Sequence, residues 1–165
     1  MINMMKYLNS EKYELTFMLI PSQLKYYNHL MKLSKKYINI NFINPVNLNE
    51  ITETINKFDI GIYILKPNNY NEKYALPNKF FEFLQARLAI AIGPSIEMVK
   101  IINQYNLGIY SKKFTSKSLA NSINNLTFER IMEYKSNANT FAQELSSTVN
   151  INKIKNIIDE LLKAG

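Results

Sequence analysis

Three residues at the start of one helical segment have the types and spacing to bind a phosphorylated ligand: Asn78, Lys79 and Glu82. A polar run without apolar periodicity ends at Pro77, and helical spacing begins at Lys79. The first turn of a helix presents unpaired N–H groups and a partial positive charge, which suit a phosphate. The pattern predicts that Asn78, Lys79 and the free N–H groups of residues 78–81 contact a diphosphate.

Glu82 lies one turn further along the same face. A carboxylate there can accept two hydrogen bonds from the vicinal hydroxyls of a ribose. The same spacing also fits an ordinary Lys79–Glu82 ion pair on a solvated helix face, worth about 0.2–0.5 kcal/mol. Spacing alone leaves both interpretations open.

Composition excludes several kinds of site. The 165 residues, 47% apolar, predict a single domain over residues 1–165. The absence of cysteine excludes disulfides and thiolate chemistry, and the single histidine, His29, excludes a multi-histidine metal centre. We expect a surface position for His29, no metal, and no catalytic residue that the sequence identifies. No run of about 20 apolar residues and no signal peptide is evident, which favours a cytoplasmic protein.

The net charge of +7 suggests an anionic partner. The positive residues are nearly all lysines and are scattered along the chain, so a nucleic-acid-binding module is disfavoured. A solvated lysine surface explains the charge, and so does attraction to an acidic membrane surface or an anionic substrate.

Short apolar runs alternate with amphipathic segments along the chain. Strands are predicted over 14–20, 38–43, 58–65, 88–92 and 107–110, and helices over 1–9, 23–36, 50–57, 79–87, 96–105, 115–126, 127–145 and 150–163. The order predicts an α/β fold: a doubly wound, Rossmann-like parallel sheet of about five to six strands, flanked by helices, with a helical C-terminal tail.

Ligands of such sheets bind beyond the carboxyl ends of the strands. Residues 21–23, the loop 66–79 and residues 93–95 should therefore share one edge, with Asp59 at the opposite end. Gly61 lies inside a predicted strand, where a glycine marks either close approach of a ligand or backbone, or packing against a helix.

Familiar nucleotide and nucleophile motifs are absent. The chain has no Gly-x-Gly-x-x-Gly after the first strand, no Gly-Lys-Ser/Thr phosphate loop and no Gly-x-Ser-x-Gly elbow. A dinucleotide site of the usual kind is therefore not expected.

The segment 76–84 (LPNKFFEFL), followed by 89–94 (AIAIGP) and 96–99 (IEMV), resembles the C-terminal half of two-domain (GT-B) glycosyltransferases of the group 1 type. Residues 59–63 (DIGIY) resemble the strand before this motif in that family. The resemblance implies a donor site for a nucleoside-diphosphate sugar, which is a substrate, with no cofactor.

By position, Glu82 matches the family's ribose-binding glutamate, and Asn78 and Lys79 would face the diphosphate. The turn formed by Gly93, Pro94 and Ser95 would lie near the base or nucleoside. Many relatives carry an acidic residue eight positions before that glutamate. This chain has Tyr74 there and Glu72 two residues away, so that role is not assigned.

The resemblance also implies that the acceptor-binding N-terminal domain is absent and that the chain begins inside the first helix of the donor domain. We therefore expect a chain that does not catalyse transfer alone and that works with an N-terminal-domain partner chain or as a homo-oligomer, for polysaccharide or glycoconjugate synthesis at the inner face of the membrane. A non-enzymatic interaction module that kept the fold but lost its ligand is the alternative, and a nucleic-acid or membrane-surface binder is a third.

Overall fold

The computed structural model describes residues 1–163, apart from the side chains at 147 and 150. The domain predicted over 1–165 therefore extends two residues beyond the described part. Within residues 1–163 no helix is long and apolar enough to cross a membrane.

Within residues 1–163, five strands and eight α-helices alternate in the order that the apolar runs predict. The strands are β1 (Leu15–Met18), β2 (Ile40–Ile43), β3 (Ile60–Tyr63), β4 (Ala89–Ile92) and β5 (Gly108–Tyr110). The helices are α1 (Leu24–Ser34), α2 (Ile51–Ile55), α3 (Tyr70–Lys73), α4 (Asn78–Gln85), α5 (Ile96–Tyr105), α6 (Ser116–Asn124), α7 (Phe128–Phe141) and α8 (Ser147–Lys163), with two 3-10 turns at Ile2–Met4 and Leu48–Glu50.

All strand pairs are parallel, and helices cover both faces, which confirms the predicted Rossmann-like α/β fold. The turn Ile2–Met4, α1 and α6 pack on one face. Helices α2, α4, α5 and α7 pack on the other. Every residue of β4 is buried, so this strand is the centre of the core.

The strands form two hydrogen-bonded groups where we expected one sheet. One group is β1–β2 and the other is β3–β4–β5. Their side chains nevertheless join one apolar cluster, which includes Leu15, Phe17, Ala91, Ile60 and Ile62. Side-chain packing therefore holds the two groups in a single domain.

Two local predictions were wrong. The segment 1–9 is not a regular helix: a 3-10 turn at Ile2–Met4 leads into further turns, since burying Ile2, Met4, Met5 and Leu8 together decides the local shape. The predicted loop 66–79 contains α3, which begins because the Asn69 side chain accepts the Glu72 N–H at 2.9 Å.

Gly61 permits close packing between β3 and α4. A Cβ added at Gly61 would lie 2.3 Å from Cγ of Phe83 and 2.8 Å from its Cβ. The ring of Phe83 therefore rests directly on the strand backbone. Of the two interpretations of this glycine, helix packing is confirmed.

We expect Gly61→Ala to lower the free energy of unfolding by about 1–3 kcal/mol, because the new methyl group overpacks this contact. Chemical denaturation measures the change. In a Phe83→Ala background the same substitution should cost less, since the two nearest ring atoms are gone and only Cβ of residue 83 remains close to the new methyl group. If Gly61→Ala lowered the free energy of unfolding equally in both backgrounds, the contact between Gly61 and the Phe83 ring would be contradicted.

Candidate functional site

The carboxyl ends of the parallel strands meet at one edge, which we call the ligand edge: residues 19–23, 64–78 and 93–95. Each segment directly follows β1, β3 or β4. This is the edge at which open α/β sheets bind their ligands. Asp59 lies at the opposite end, where Lys135 Nζ approaches its carboxylate at 3.1 Å.

Helix α4 begins at the ligand edge without a side-chain cap. Pro77 stands at the cap position in an extended conformation and offers no side-chain acceptor. The Phe80 N–H donates to the Pro77 carbonyl at 2.9 Å, so it is not free, contrary to our expectation for residues 78–81. The N–H groups of Asn78 and Lys79 have no acceptor in the described part of the chain. Two backbone donors therefore point out of the first turn.

The side chains of Lys79 and Glu82 do not pair with one another. The ion pairs within residues 1–163 are Lys100–Glu97, Arg130–Glu133 and Lys135–Asp59. Lys79 is exposed and Glu82 is half-buried. The ordinary i, i+3 pair is therefore absent, and a cation and a carboxylate stand one turn apart, each free to meet a ligand.

Gly93 has a packing role that the sequence did not reveal. A Cβ at this position would lie 2.6 Å from Cδ1 of Phe114. The Gly93 N–H donates to the Tyr63 carbonyl at 3.0 Å, and the Gly93 carbonyl accepts the Ser95 N–H at 2.8 Å. Gly93 therefore fixes the turn, and its N–H is not available to a ligand.

Ser95 stands at the predicted cap position of α5, but its hydroxyl makes no capping hydrogen bond. The residue is nearly buried, at 7% exposure. Pro94 beside it is half-buried and has no N–H. At this turn the group left to a ligand is the Ser95 hydroxyl.

Glu72 organises the loop between β3 and α4. Its carboxylate accepts the Asn68 N–H at 2.6 Å. Burial, and secondly the negative charge of Glu72, raises the pKa of the Tyr63 phenol at the end of β3. Glu72 therefore helps to hold the loop between β3 and α4 in place through its bond to Asn68.

The sequence pattern did not predict that two exposed tyrosines of this loop, Tyr70 and Tyr74, would pair. The rings of Tyr70 and Tyr74 lie 4.7 Å apart, and the side chains are 75% and 37% exposed. Their i, i+4 spacing across α3 was the available signal, but it has meaning only once α3 is known to be a helix. The pair offers an exposed aromatic surface on the loop that leads to α4.

A cavity of about 580 Å³ opens at the end of β1, where residues 19, 20, 22 and 23 of the ligand edge line it. It is lined mainly by apolar side chains from the N-terminal turn, β1 and α1, together with Ser22, Gln23 and His29. None of Asn78, Lys79, Glu82 or residues 93–95 lines it. Because its walls carry no lysine, arginine or carboxylate side chain, the cavity does not suit a diphosphate, and the start of α4 remains the better candidate.

Within the described residues no group of three acidic or histidine side chains is placed to hold a metal ion.

Comparison with known proteins supports the fold. No family model matches the sequence, and no curated protein matches it either. The structure resembles that of WaaG, a glycosyltransferase involved in lipopolysaccharide biosynthesis, with a TM-score of 0.61 and 14% identity over 88% of this chain and 38% of that one. It also resembles HepE from Anabaena, solved in complex with UDP and glucose, with a TM-score of 0.70 and 15% identity over 99% of this chain and 44% of that one.

The chain thus has the fold of one domain of a GT-B glycosyltransferase, which confirms the expected resemblance at the level of fold. It spans about two fifths of the length of these two proteins.

The phenol of Tyr63 provides a pH-dependent test of the ligand edge. Because its pKa is raised above 10.0 in the folded chain, the unfolded chain loses this proton first, and stability should fall as the pH rises above about 10. We expect Tyr63→Phe to lessen that alkaline loss, and Glu72→Gln to lessen it partly. Denaturation at a series of alkaline pH values measures both.

The exposed Tyr26 supplies the control for that series. Tyr26→Phe should leave the alkaline slope unchanged. A Tyr63→Phe slope that equals the wild-type slope would contradict the burial of this phenol.

Proposed function

We propose that this chain is the nucleotide-sugar-binding half of a glycosyltransferase that makes polysaccharides or glycoconjugates. The observation that carries the proposal is the start of α4. An uncapped first turn, the free Lys79 and the free Glu82 stand together at the carboxyl edge of a parallel sheet. The fold of this chain and the UDP and glucose bound to HepE support the same class of ligand.

In this proposal, the three residues at the start of α4 have separate roles. Lys79, Asn78 and their N–H groups hold the diphosphate, through charge and helix-terminal donors. Glu82 accepts hydrogen bonds from the two ribose hydroxyls. The Ser95 hydroxyl and Pro94 border the nucleoside, and Gly93 supports that turn by giving room to Phe114.

Transfer itself requires more than this chain provides. No residue at the ligand edge is assigned as a catalytic base, and the nucleoside-diphosphate sugar is a substrate, with no cofactor involved. We propose that an N-terminal-domain partner, or a second copy of the chain, binds the acceptor. The lysine-rich surface and net charge of +7 suit a position at the inner, anionic face of a membrane.

Nucleotide-binding measurements can distinguish the proposed contact of Glu82 with ribose from that of Lys79 with the diphosphate. We expect saturable binding of UDP or GDP and of their sugar derivatives, measured by calorimetry, and weaker binding of the 2′-deoxy forms. Glu82→Gln should weaken binding about tenfold or more and abolish the preference for ribose, since a charge-assisted hydrogen bond contributes about 1.5–3 kcal/mol. Lys79→Ala should weaken the binding of nucleoside diphosphates more than that of nucleosides. It should keep the preference for ribose over 2′-deoxyribose.

Matched controls lie away from the ligand edge. Glu53→Gln in α2 and Lys57→Ala before β3 change the same charges at exposed positions. These variants should change the affinity for nucleotides by no more than about a factor of two. That small change comes from the altered overall charge of the protein. Absence of saturable binding to every nucleotide, or equal losses in the site and control variants, would refute the assignment.

A second candidate function, a protein-interaction module, is favoured by α8. Its apolar residues Ile151, Ile154, Ile158 and Leu161 recur at intervals of three and four and are 51%, 57%, 48% and 69% exposed. Such spacing is that of a helix that packs against another helix. A contiguous exposed apolar face of this kind marks an interaction surface.

If α8 mediates self-association, Ile154→Glu combined with Ile158→Glu should abolish it, because two buried charges disrupt an apolar interface. Light scattering over a range of protein concentration measures the mass. Asn152→Glu combined with Asn156→Glu adds the same charge at polar positions of α8 and should leave the association intact. A monomer at every concentration would exclude this role for the chain alone.

A further inference from the structure

One face of the domain collects lysines from three separate parts of the chain. The N-terminal turn, α1 and α6 cover this face, and the turn contacts both helices. Residues 1–10, 21–39 and 111–125 form the outer surface here, which we call the lysine face. They contribute eight lysines, and all eight side chains are exposed.

The lysine face carries nearly all of the net charge of the chain. Residues 1–10, 15–49 and 98–128 contain no aspartate or glutamate. With eight of the 20 basic residues and none of the 13 acidic ones on this face, 12 basic and 13 acidic residues are left elsewhere. The lysines that are scattered along the sequence are therefore gathered on one side by the fold, and the other side is close to neutral.

The outer side of α1 forms one row of positive charge. Lys25, Lys32 and Lys36 are separated by seven and four residues, so they share one side of the helix. Ser34, the buried residue of α1, lies on the opposite side. None of the ion pairs within residues 1–163 uses a lysine of this face, so these charges are not neutralised by the protein.

The N-terminal turn and α6 continue the same surface. The ammonium groups of Lys6 and Lys117 each lie 5.9 Å from the centre of the Tyr7 ring, which places the two cations on either side of one exposed aromatic side chain. The Lys113 N–H donates to Ser118 Oγ at 3.1 Å and ties the loop before α6 to the first turn of that helix.

The size of the lysine face allows its charges to act together. Helices packed side by side lie about 8–10 Å apart, so the layer of α1, the turn and α6 is about 20 Å wide. The Debye length at physiological ionic strength is about 8 Å. Eight like charges on such an area produce a strong positive potential, which attracts an extended anionic surface.

Exposed apolar side chains lie among these lysines. Leu24 and Tyr26 in the first turn of α1 are 67% and 59% exposed, and Ile38, which follows α1, is completely exposed. Apolar and tyrosine side chains beside lysines suit the boundary between lipid headgroups and acyl chains, where the ring or methyl groups enter and the ammonium groups stay at the phosphates.

We infer that the lysine face binds the surface of a membrane that contains anionic lipids. Its lysines contact the headgroup phosphates, and Leu24, Tyr26 and Ile38 enter the interface. A nucleic acid fits less well, because both arginines of the chain, Arg87 and Arg130, lie outside this face and exposed apolar side chains gain nothing from a phosphate backbone.

The inference rests on the proposed position of the protein at a membrane and names the surface responsible. It does not depend on the nucleotide site. Helix α4 packs on the opposite side of the sheet and begins at the ligand edge. The membrane and a nucleotide can therefore be bound together.

Co-sedimentation of the full chain with vesicles tests the lysine face. The vesicles contain phosphatidylcholine alone, or the same lipid mixed with phosphatidylglycerol in about equal parts. We expect binding to the mixed vesicles only, and weaker binding at high salt because salt screens the charges. Lys32→Gln combined with Lys36→Gln should weaken binding about tenfold or more, since each lysine near an anionic surface contributes about fivefold.

The matched control removes the same charge elsewhere. Lys57→Gln combined with Lys100→Gln changes two exposed lysines outside the face and should alter vesicle binding by no more than about twofold. Leu24→Gln should weaken binding to the mixed vesicles but not to a short DNA duplex, which meets only the lysines.

Calorimetry with UDP or GDP on the same variants examines the nucleotide site separately. The affinity for nucleotides should be the same in both double variants, because neither changes α4. Loss of nucleotide binding with vesicle binding retained would refute only the nucleotide site, and the reverse would refute only the lysine face.

Three results would overturn the inference: no binding to the mixed vesicles, equal binding to phosphatidylcholine alone, or equal losses in the two double variants. Tighter binding to the DNA duplex than to the mixed vesicles, lost in the Lys32 and Lys36 double variant, would assign the face to a nucleic acid and overturn the proposed partner.

Discussion

The contact between Phe83 and Gly61 determines where the candidate site lies. Because the strand has no side chain at Gly61, the Phe83 ring of α4 packs directly against the backbone of β3. The C-terminal end of α4 is also held in place. Arg87 adopts a left-handed conformation, φ 61°, and the Leu88 N–H returns to the Phe83 carbonyl at 3.0 Å. The helix is thus fixed by its buried side and its C-terminus, and its first turn is left free at the ligand edge.

This arrangement separates stability from recognition within a single helix. Phe80 and Leu84 are completely buried and carry the packing energy of α4. The side chains of Lys79 and Glu82 lie on the other side and make no hydrogen bond or ion pair within residues 1–163. A binding helix built in this way can exchange its polar side chains without loss of the fold, and its ligand does not have to break an ion pair before it binds.

Much of the fold follows from local sequence signals, whereas the details of the site depend on distant residues. The runs around Ile60 and Ile90 are apolar, short and bounded by turns, so the strands and their parallel order were predictable. The N-terminal turn was not, because burial of Met4 and Met5 outweighs their helical spacing. Nor does any local pattern show that Phe114 lies over Gly93, or that Lys79 and Glu82 remain apart. The contact of Phe114 with Gly93 joins residues far apart in the chain.

The division of the strands into two groups has a consequence for the folding of the chain. Backbone hydrogen bonds between strands make a sheet unfold as a unit, and here none crosses from β1 to β3. The unit of β1, α1 and β2 is joined to the rest mainly by apolar side chains, with hydrogen bonds from Lys12 and Tyr13, just before β1, to the carbonyls of Leu126 and Ile123. It can therefore open while the unit around β4 stays intact, at a free energy below that of global unfolding.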